Sequence, residues 1–314
     1  MVANHPVIIK QVFITGASGV LGSALVEELL SHDIKPTVMT RNPSVMTNRD
    51  QVQVLKGDLQ NLEFAKTAIS ESDVVFHAAA RTPAKNIPDS EYQSINVDGT
   101  ANIVEECKRA RVRLIYVSSI NVELFRTGRV SDPYSESKSR AEHIVQNAID
   151  EGLDAVIIRP GYIFGNVVNR AGPLVNRVLS KRLNALPASD RKFCPVFSGD
   201  VAKAMWLTAQ IPVSGTTFTV AGECTDLMTF VTRVTTAIGR KPPRISLPIW
   251  LAAIPLSMLW LLRPLTRWTP PVTMSALKTQ AIFEGSTAAN ELGFTYRSIE
   301  EIFSPASLIE GTGK

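Results

Sequence analysis

The stretch V-F-I-T-G-A-S-G-V-L-G-S-A-L-V-E-E-L-L, residues 12–30, constrains the fold more than any other part of the chain. An apolar, β-branched run ends in three glycines, Gly16, Gly19 and Gly22, and passes directly into a helical pattern. Backbone N–H groups at the end of such a strand converge with the dipole of the following helix on one point, which suits a pyrophosphate. Gly16 permits the tight turn, Gly19 lets backbone approach a phosphate, and Gly22 lets the helix pack closely on a sheet. Ser18, Val20 and Leu21 share this loop and are assigned to the same site. The spacing is G-x-x-G-x-x-G rather than G-x-G-x-x-G.

The rest of the first half repeats the strand-then-helix order. Strands are expected at 11–15, 36–40, 52–56, 73–77, 113–118 and 154–159, all apolar nearly throughout, as strands buried on both faces of a parallel sheet are. Helices are expected near 20–31, 61–70, 91–111 and 134–151, the last stopping at Gly152. This alternation predicts an α/β fold, a doubly wound parallel (Rossmann) sheet, with ligands beyond the carboxyl ends of its strands. Glycine and proline become frequent after Pro160 (RPGYIFG, AGP, RKPPR, RWTPP). Residues 1–159 are therefore read as a dinucleotide-binding domain. Residues 160–314 are read mainly as a smaller substrate-binding region, with some segments returning to the sheet.

Composition excludes several classes. Of 314 residues 45% are hydrophobic and 20% charged, so the chain is globular rather than disordered. Its net charge of +4 is small and its basic residues are scattered, which argues against nucleic-acid binding. Cys107, Cys194 and Cys224 are odd in number and widely spaced; they form no metal-ligand pattern, and no metal is expected. They fit a reducing compartment. The first eleven residues lack the apolar core of a signal peptide, so a cytoplasmic location is expected. One segment complicates this: Ile249–Leu262 is nearly all apolar, contains Pro255 and is followed by Arg263 and Arg267. It is shorter than the roughly 18 residues of a membrane span. Two readings stay open, a buried, proline-kinked helix pair or a peripheral membrane contact through 249–268 anchored by Trp250, Trp260 and Trp268.

The nucleotide is read from the second strand. Sites for NAD usually place an acid at its end, but here the strand ends V-M-T-R-N-P and offers Arg41. A guanidinium there would bind a 2′-phosphate, so NADP(H) is expected in preference to NAD(H). Asp58, after the third strand, is a candidate for the adenine amino group, with Leu59 beside it. The fourth strand ends F-H-A-A-A, whose Ala78, Ala79 and Ala80 would let backbone lie flat along a cofactor. His77 is read as a packed, hydrogen-bonded histidine rather than a catalytic one.

Tyr134 and Lys138, four residues apart in Y-S-E-S-K, lie on one face of the expected helix. An ammonium near a phenol favours phenolate and would lower the tyrosine pKa. A serine from Y-V-S-S-I-N-V, at the neighbouring strand end, can hold a substrate oxygen in place. With TGASGVLG, GDL, HAAA, NVDGTANI (96–103), YVSSINV, YSESK, RPGYIFG (159–165) and GDVAKAM (199–205) in that order, the chain resembles the extended short-chain dehydrogenase/reductases, the NAD-dependent epimerase/dehydratase family. Within it, the apolar tail and SSINV resemble the 3-beta-hydroxysteroid dehydrogenase-like carbonyl reductases.

The resemblance implies that Tyr134 is the general acid/base and that Lys138 lowers its pKa while binding the nicotinamide ribose. It assigns Ser119 to the substrate oxygen, and Pro160, Gly161 and Ile163 to the segment along the nicotinamide carboxamide. The expected function is an NADP(H)-dependent ketoreductase, interconverting a ketone and a secondary alcohol on a largely apolar small-molecule substrate. A nucleotide-sugar epimerase or dehydratase, and a non-catalytic dinucleotide sensor, are the rival readings. A homodimer is compatible with all three. Only 14 residues separate Ser119 from Tyr134, a shorter loop than many extended members carry.

Overall fold

The computed structural model of the chain describes residues 8–46, 48–84, 87–165, 171–180, 185–187, 189–247 and 282–304. Strand β1 (Val12–Thr15) runs through the glycine loop into α1 (Val20–Ser31). Strands β2 (Thr37–Thr40) and β3 (Gln53–Lys56) follow, then α2 (Lys66–Ser70) and β4 (Val74–His77). Next, α3 (Asp89–Tyr92), a π-helical turn (Gln93–Asp98) and α4 (Gly99–Ala110) run on without interruption to β5 (Arg113–Val117). Helices α5 (Asn121–Arg126) and α6 (Pro133–Asp150) precede β6 (Ala155–Pro160).

These six strands and β11 (Thr217–Val220) form one parallel sheet of order β11-β6-β5-β4-β1-β2-β3. The expected doubly wound α/β fold is therefore borne out, with a seventh strand supplied from beyond residue 160. Side chains alternate across the sheet with the strand period of two. Val12, Ile14, Phe76, Ile115 and Ile158 pack on one face with Leu21, Leu25 and Leu29 of α1 and Val201 and Met205 of α8 (Ser198–Gln210). Phe13, Val75, Leu114, Tyr116 and Ile157 pack on the other with Ile103 of α4 and Ala141 and Val145 of α6. Burial on both faces is why these strands read as unbroken apolar runs, each fully buried leucine or isoleucine contributing about 1.5–3 kcal/mol.

The region after residue 160 divides. Helix α8 and strand β11 belong to the sheet layer. The short strands β7 (Tyr162–Phe164), β8 (Ala185–Pro187) and β10 (Pro195–Phe197), with α7 (Gly172–Ser180), α9 (Leu227–Ala237) and α11 (Ile299–Ile302) after α10 (Ser286–Leu292), enclose a separate aromatic core. Phe164 anchors it, stacking on Phe303 and meeting Phe230 edge-on.

The cysteines correct the sequence reading. Cys194 and Cys224 are disulfide-bonded, and Cys107 is the free, buried thiol. The cause is register: β9 (Lys192–Phe193) pairs antiparallel with β12 (Thr225–Asp226), Phe193 opposite Thr225, so Cys194, just after β9, meets Cys224, just before β12. The apolar segment Ile249–Leu262, and the whole of 249–268, lie outside the described residues. Among the described residues, no helix is long and apolar enough to cross a membrane.

Candidate active site

Because the sheet strands are parallel, their carboxyl ends share one edge. The strand order reverses between β1 and β4, which opens a crevice between those two ends. Gly16 stands at the crevice with φ +81°, and a Cβ there would fall 2.5 Å from the Ala79 nitrogen. A side chain is thus excluded twice, by conformation and by the Ala78–Ala79 backbone. A Cβ on Gly22 would meet the Gly16 carbonyl oxygen and stand 2.7 Å from the Ala17 Cα, so this glycine lets α1 start directly beneath the loop. Gly19 caps α1 with no side-chain hydrogen bond, leaving the first-turn N–H groups directed outward. This cradle of backbone fits a dinucleotide pyrophosphate.

The other residues assigned to the cofactor fall along the same edge, with two refinements. Ser18 is exposed and Val20 half-buried, whereas the Leu21 and Leu59 side chains are buried in the two cores, leaving their backbone groups for any ligand. Arg41 and Asp58 stand together after β2 and β3, 4.0 Å apart and largely exposed. Ala78, Ala79 and Ala80 are half-buried beside the glycine loop, and the Ala78 N–H donates to the Thr15 carbonyl at 3.2 Å. Pro160, Gly161 and Ile163 span the passage from β6 to β7. A Cβ on Gly161 would collide with the Cys194 carbonyl oxygen, so the chain there runs backbone against backbone.

Ser118 and Ser119 follow β5, and α6 begins opposite them. Asp132 caps α6, accepting from the Ser135 N–H at 2.9 Å and the Ser135 hydroxyl at 2.7 Å, with Pro133 in the first turn. That cap fixes Tyr134 in the first turn, with Lys138 and Glu142 one and two turns further along the same face. Asn96, from the π-helical turn, donates to Ser137 Oγ at 2.9 Å, and Ser137 donates to the Tyr134 carbonyl at 2.7 Å. Ser119 lies close enough to the Tyr134 hydroxyl to lower its pKa. Its ring meets that of Tyr92 edge-on, with centroids 6.2 Å apart. The three expected catalytic residues are therefore brought to one place.

Their protonation differs from the sequence expectation. Burial pushes the Tyr134 phenol up to about 12, Ser119 opposing it only in part. Lys138, expected to lower that value, instead donates to Tyr116 Oη at 2.9 Å and to the Val117 carbonyl at 2.7 Å. Its own pKa is pushed down to about 7 by burial, against the field of Glu142. The correction is directional: two groups four apart on a helix share a face, but this ammonium turns toward the sheet, where acceptors await it. His77 is fully buried, bonded to Thr15 at 2.6 Å and to Thr100 at 3.0 Å, and burial lowers its pKa to about 3, so it is neutral.

Two features escaped sequence reasoning. Tyr116 places a phenol inside an otherwise apolar strand, on the face that α6 covers, and so reaches Lys138. Glu142, four residues after Lys138, is 2% exposed and receives Arg159 at 2.5 Å and Arg126 at 3.1 Å. The Ser118 hydroxyl donates to it at 2.5 Å. A polar residue within an apolar strand, and an acid continuing the Tyr134–Lys138 stripe by one more turn, were the available signals.

Comparison with known proteins agrees with this geometry. The model of the NAD dependent epimerase/dehydratase family matches residues 12–221. The chain is 31% identical over 251 residues to the sterol-4-alpha-carboxylate 3-dehydrogenase (decarboxylating) of Saccharomyces cerevisiae, an alignment covering 68% of this chain and 71% of that one. It is 30% identical to a 3-beta-hydroxysteroid dehydrogenase of Mycolicibacterium neoaurum, over 75% of this chain and 72% of the relative. In fold it is similar to the crystal structure of gox2253, with a TM-score of 0.78 and 24% identity, covering 96% of this chain and 99% of that one.

Proposed function

Starting from the premise that the chain belongs to the NAD dependent epimerase/dehydratase family, we propose that it is an NADP(H)-dependent oxidoreductase interconverting a ketone and a secondary alcohol on a lipophilic substrate. The observation that carries this reading is the placing of Ser119 beside the Tyr134 phenol, close enough to lower its pKa, at the carboxyl edge of the sheet that holds the glycine cradle. Such a pair is what proton exchange with a substrate oxygen requires, and dinucleotide binding alone does not need it. The names of the sterol and hydroxysteroid dehydrogenase relatives support the lipophilic substrate.

Gly16, Gly19 and the start of α1 would hold the pyrophosphate, Lys138 the nicotinamide ribose, and Pro160–Gly161 the carboxamide. Arg41, largely exposed after β2, supports NADP(H) because a guanidinium there can meet a 2′-phosphate. The dinucleotide, when bound, supplies or accepts a hydride. Ser119 holds the substrate oxygen and Tyr134 exchanges its proton. A phenol raised to about 12 keeps its proton at neutral pH, the form that protonates the oxygen of a ketone undergoing reduction.

The test is NADPH oxidation against ketones ranging from sugars to steroids and 3-oxo compounds, with Tyr134→Phe as the partner variant. That variant keeps the ring against Tyr92 and removes the proton, so turnover should fall by about two to four orders of magnitude while dinucleotide affinity holds. Near-parental turnover in Tyr134→Phe would remove the proposed acid.

A further inference from the structure

The Cys194–Cys224 disulfide lies against the active site rather than apart from it. Cys194 stands between β9 and β10, and its carbonyl oxygen accepts from the Tyr162 N–H at 2.9 Å. The same oxygen excludes a side chain from Gly161, in the segment assigned to the nicotinamide. On the other side, the Gly222 N–H donates to the Pro195 carbonyl at 3.1 Å, shortly before the chain reaches Cys224. The main chain of Phe283 crosses both sulfurs. Its N–H donates to Cys194 Sγ at 3.2 Å, and its carbonyl oxygen stands 3.6 Å from Cys194 Sγ and 3.2 Å from Cys224 Sγ. The Phe283 ring packs on Ile120, Leu124 and Val130, which lie between Ser119 and Tyr134 in the chain.

Two features suit a pair that opens and closes. The first is unequal access: Cys194 is fully buried and Cys224 half-buried, so Cys224 offers the sulfur that a thiolate from solvent reaches first. Access decides which sulfur of a disulfide is attacked. The second is that the Phe283 peptide serves both states. A disulfide sulfur has no hydrogen to give, and Cys194 Sγ accepts one here; a thiol can donate, and the Phe283 carbonyl lies within reach of both sulfurs. The N–H on Cys194 Sγ also supports the thiolate that leaves when Cys224 is attacked, offsetting part of the cost of its burial.

We propose that Cys194–Cys224 is a reversible thiol–disulfide switch, that Cys224 is the sulfur attacked by a small thiol of the glutathione class, and that opening the pair loosens the wall between Ser119 and Tyr134. The attacking thiolate forms a mixed disulfide at Cys224 as the Cys194–Cys224 bond breaks. Cys194 leaves as thiolate and takes a proton from water. A second thiolate then displaces Cys224, so two small thiols are oxidised to one disulfide while the protein pair gains two electrons and two protons. Without the cross-link, Cys194 and Cys224 no longer hold the Phe283 main chain as one unit, and its ring loses its anchor on Ile120, Leu124 and Val130. The effect on turnover rests on the oxidoreductase reading, whereas the thiol chemistry does not.

The native protein is incubated with reduced glutathione, quenched in acid, unfolded and alkylated. Mass then counts one alkylated cysteine, Cys107, in the closed form and all three in the open form. Glutathione should open the pair without denaturant, and hydrogen exchange across residues 120–130 should quicken at least about threefold. Oxidised glutathione should cap Cys224 in Cys194→Ser at least about tenfold faster than it caps Cys194 in Cys224→Ser. With NADPH and a ketone that is turned over, reduction should raise KM about threefold or more.

A pair that glutathione opens only in urea overturns the proposal, as does exchange across 120–130 that ignores the redox state; both are read on the parent, whichever variants fold. So does a Cys194 that is capped as fast as Cys224, or a KM unchanged by reduction. An open pair with quickened exchange, but no ketone turned over in either state, would sink the reductase reading and leave the switch standing.

Discussion

Glu142→Gln tests how the active-site floor is held. Gln matches the shape of Glu, so the change removes charge and leaves volume nearly untouched. In the parent, Glu142 Oε2 accepts from Arg159 Nε at 3.0 Å and from Ser118 Oγ at 2.5 Å, and Oε1 accepts from Arg159 Nη2 at 2.5 Å. Arg126 adds a contact at 3.1 Å, but its side chain is 42% exposed, and such an arm contributes at most about 1 kcal/mol. The Arg159 arm is different: its partner is 2% exposed and it is itself 18% exposed. Removing one member of a buried pair costs about 3–5 kcal/mol. Arg159 keeps some access to water, so the loss belongs near about 3 kcal/mol.

The assay is urea denaturation at several pH values. Burial would raise the Glu142 pKa, but hydrogen bonds from Arg159 and Ser118 and the charges of Arg159 and Arg126 outweigh it and hold it below its ordinary value. A folded-state pKa depressed in this way gives stability that is complete above the unfolded value and lost as pH falls through the folded one. The gap between parent and variant should therefore be full at neutral pH and begin to narrow below about pH 4.3. A loss under about 1 kcal/mol, which surface pairs show, or a gap that ignores pH, would refute the reasoning. Turnover should fall as well, because Ser118 adjoins Ser119 and Arg159 adjoins Pro160. An Arg126→Ala control should cost no more than about 1 kcal/mol.

Two further outcomes are expected. Arg41→Ala should weaken NADPH binding more than NADH binding, by about 1.5 kcal/mol given the exposure of this arginine, as dinucleotide titrations would read; equal losses would remove the case for NADP(H). Gly16→Ala places a side chain at φ +81° and 2.5 Å from the Ala79 nitrogen, so dinucleotide binding should fall below detection in calorimetry and the melting temperature should drop; parental affinity would show that the loop is not the cradle.

The fold was legible where burial is symmetric. β1, β2, β4, β5 and β6 are largely buried and announced themselves as apolar runs, while the edge strand β3 kept Val54 and Leu55 between exposed Gln53 and Lys56; the observed strands lie within a residue or two of those expected. β11 could not be named that way, since Thr217 and Thr219 alternate with Phe218 and Val220 as in any edge strand. The Cys194–Cys224 pairing depends on the register of two-residue strands, which local composition does not encode. At the site, glycine spacing and the Tyr134–Lys138 interval could be read because backbone geometry dictates them. Arg159 and Glu142 meet across 17 positions of chain, and Tyr116 and Lys138 across 22, distances over which a pattern of neighbours says nothing.

Charge is where sequence reasoning inverted. Spacing of four on a helix guarantees a shared face, and from it a lysine that depresses a phenol was expected. Which way the ammonium turns depends on what the opposing strand offers. β5 offers the Tyr116 hydroxyl and the Val117 carbonyl at 2.9 and 2.7 Å, so the amine turns to the sheet and the burial of the phenol is opposed only in part, by Ser119. With burial raising Tyr134 to about 12, the phenol carries its proton at neutral pH. Proton donation from such a group to an alkoxide runs downhill. Proton abstraction from an alcohol first requires the rare phenolate. Under the proposed reading, Tyr134 is therefore ready to give a proton to a substrate oxygen and must first lose its own to take one.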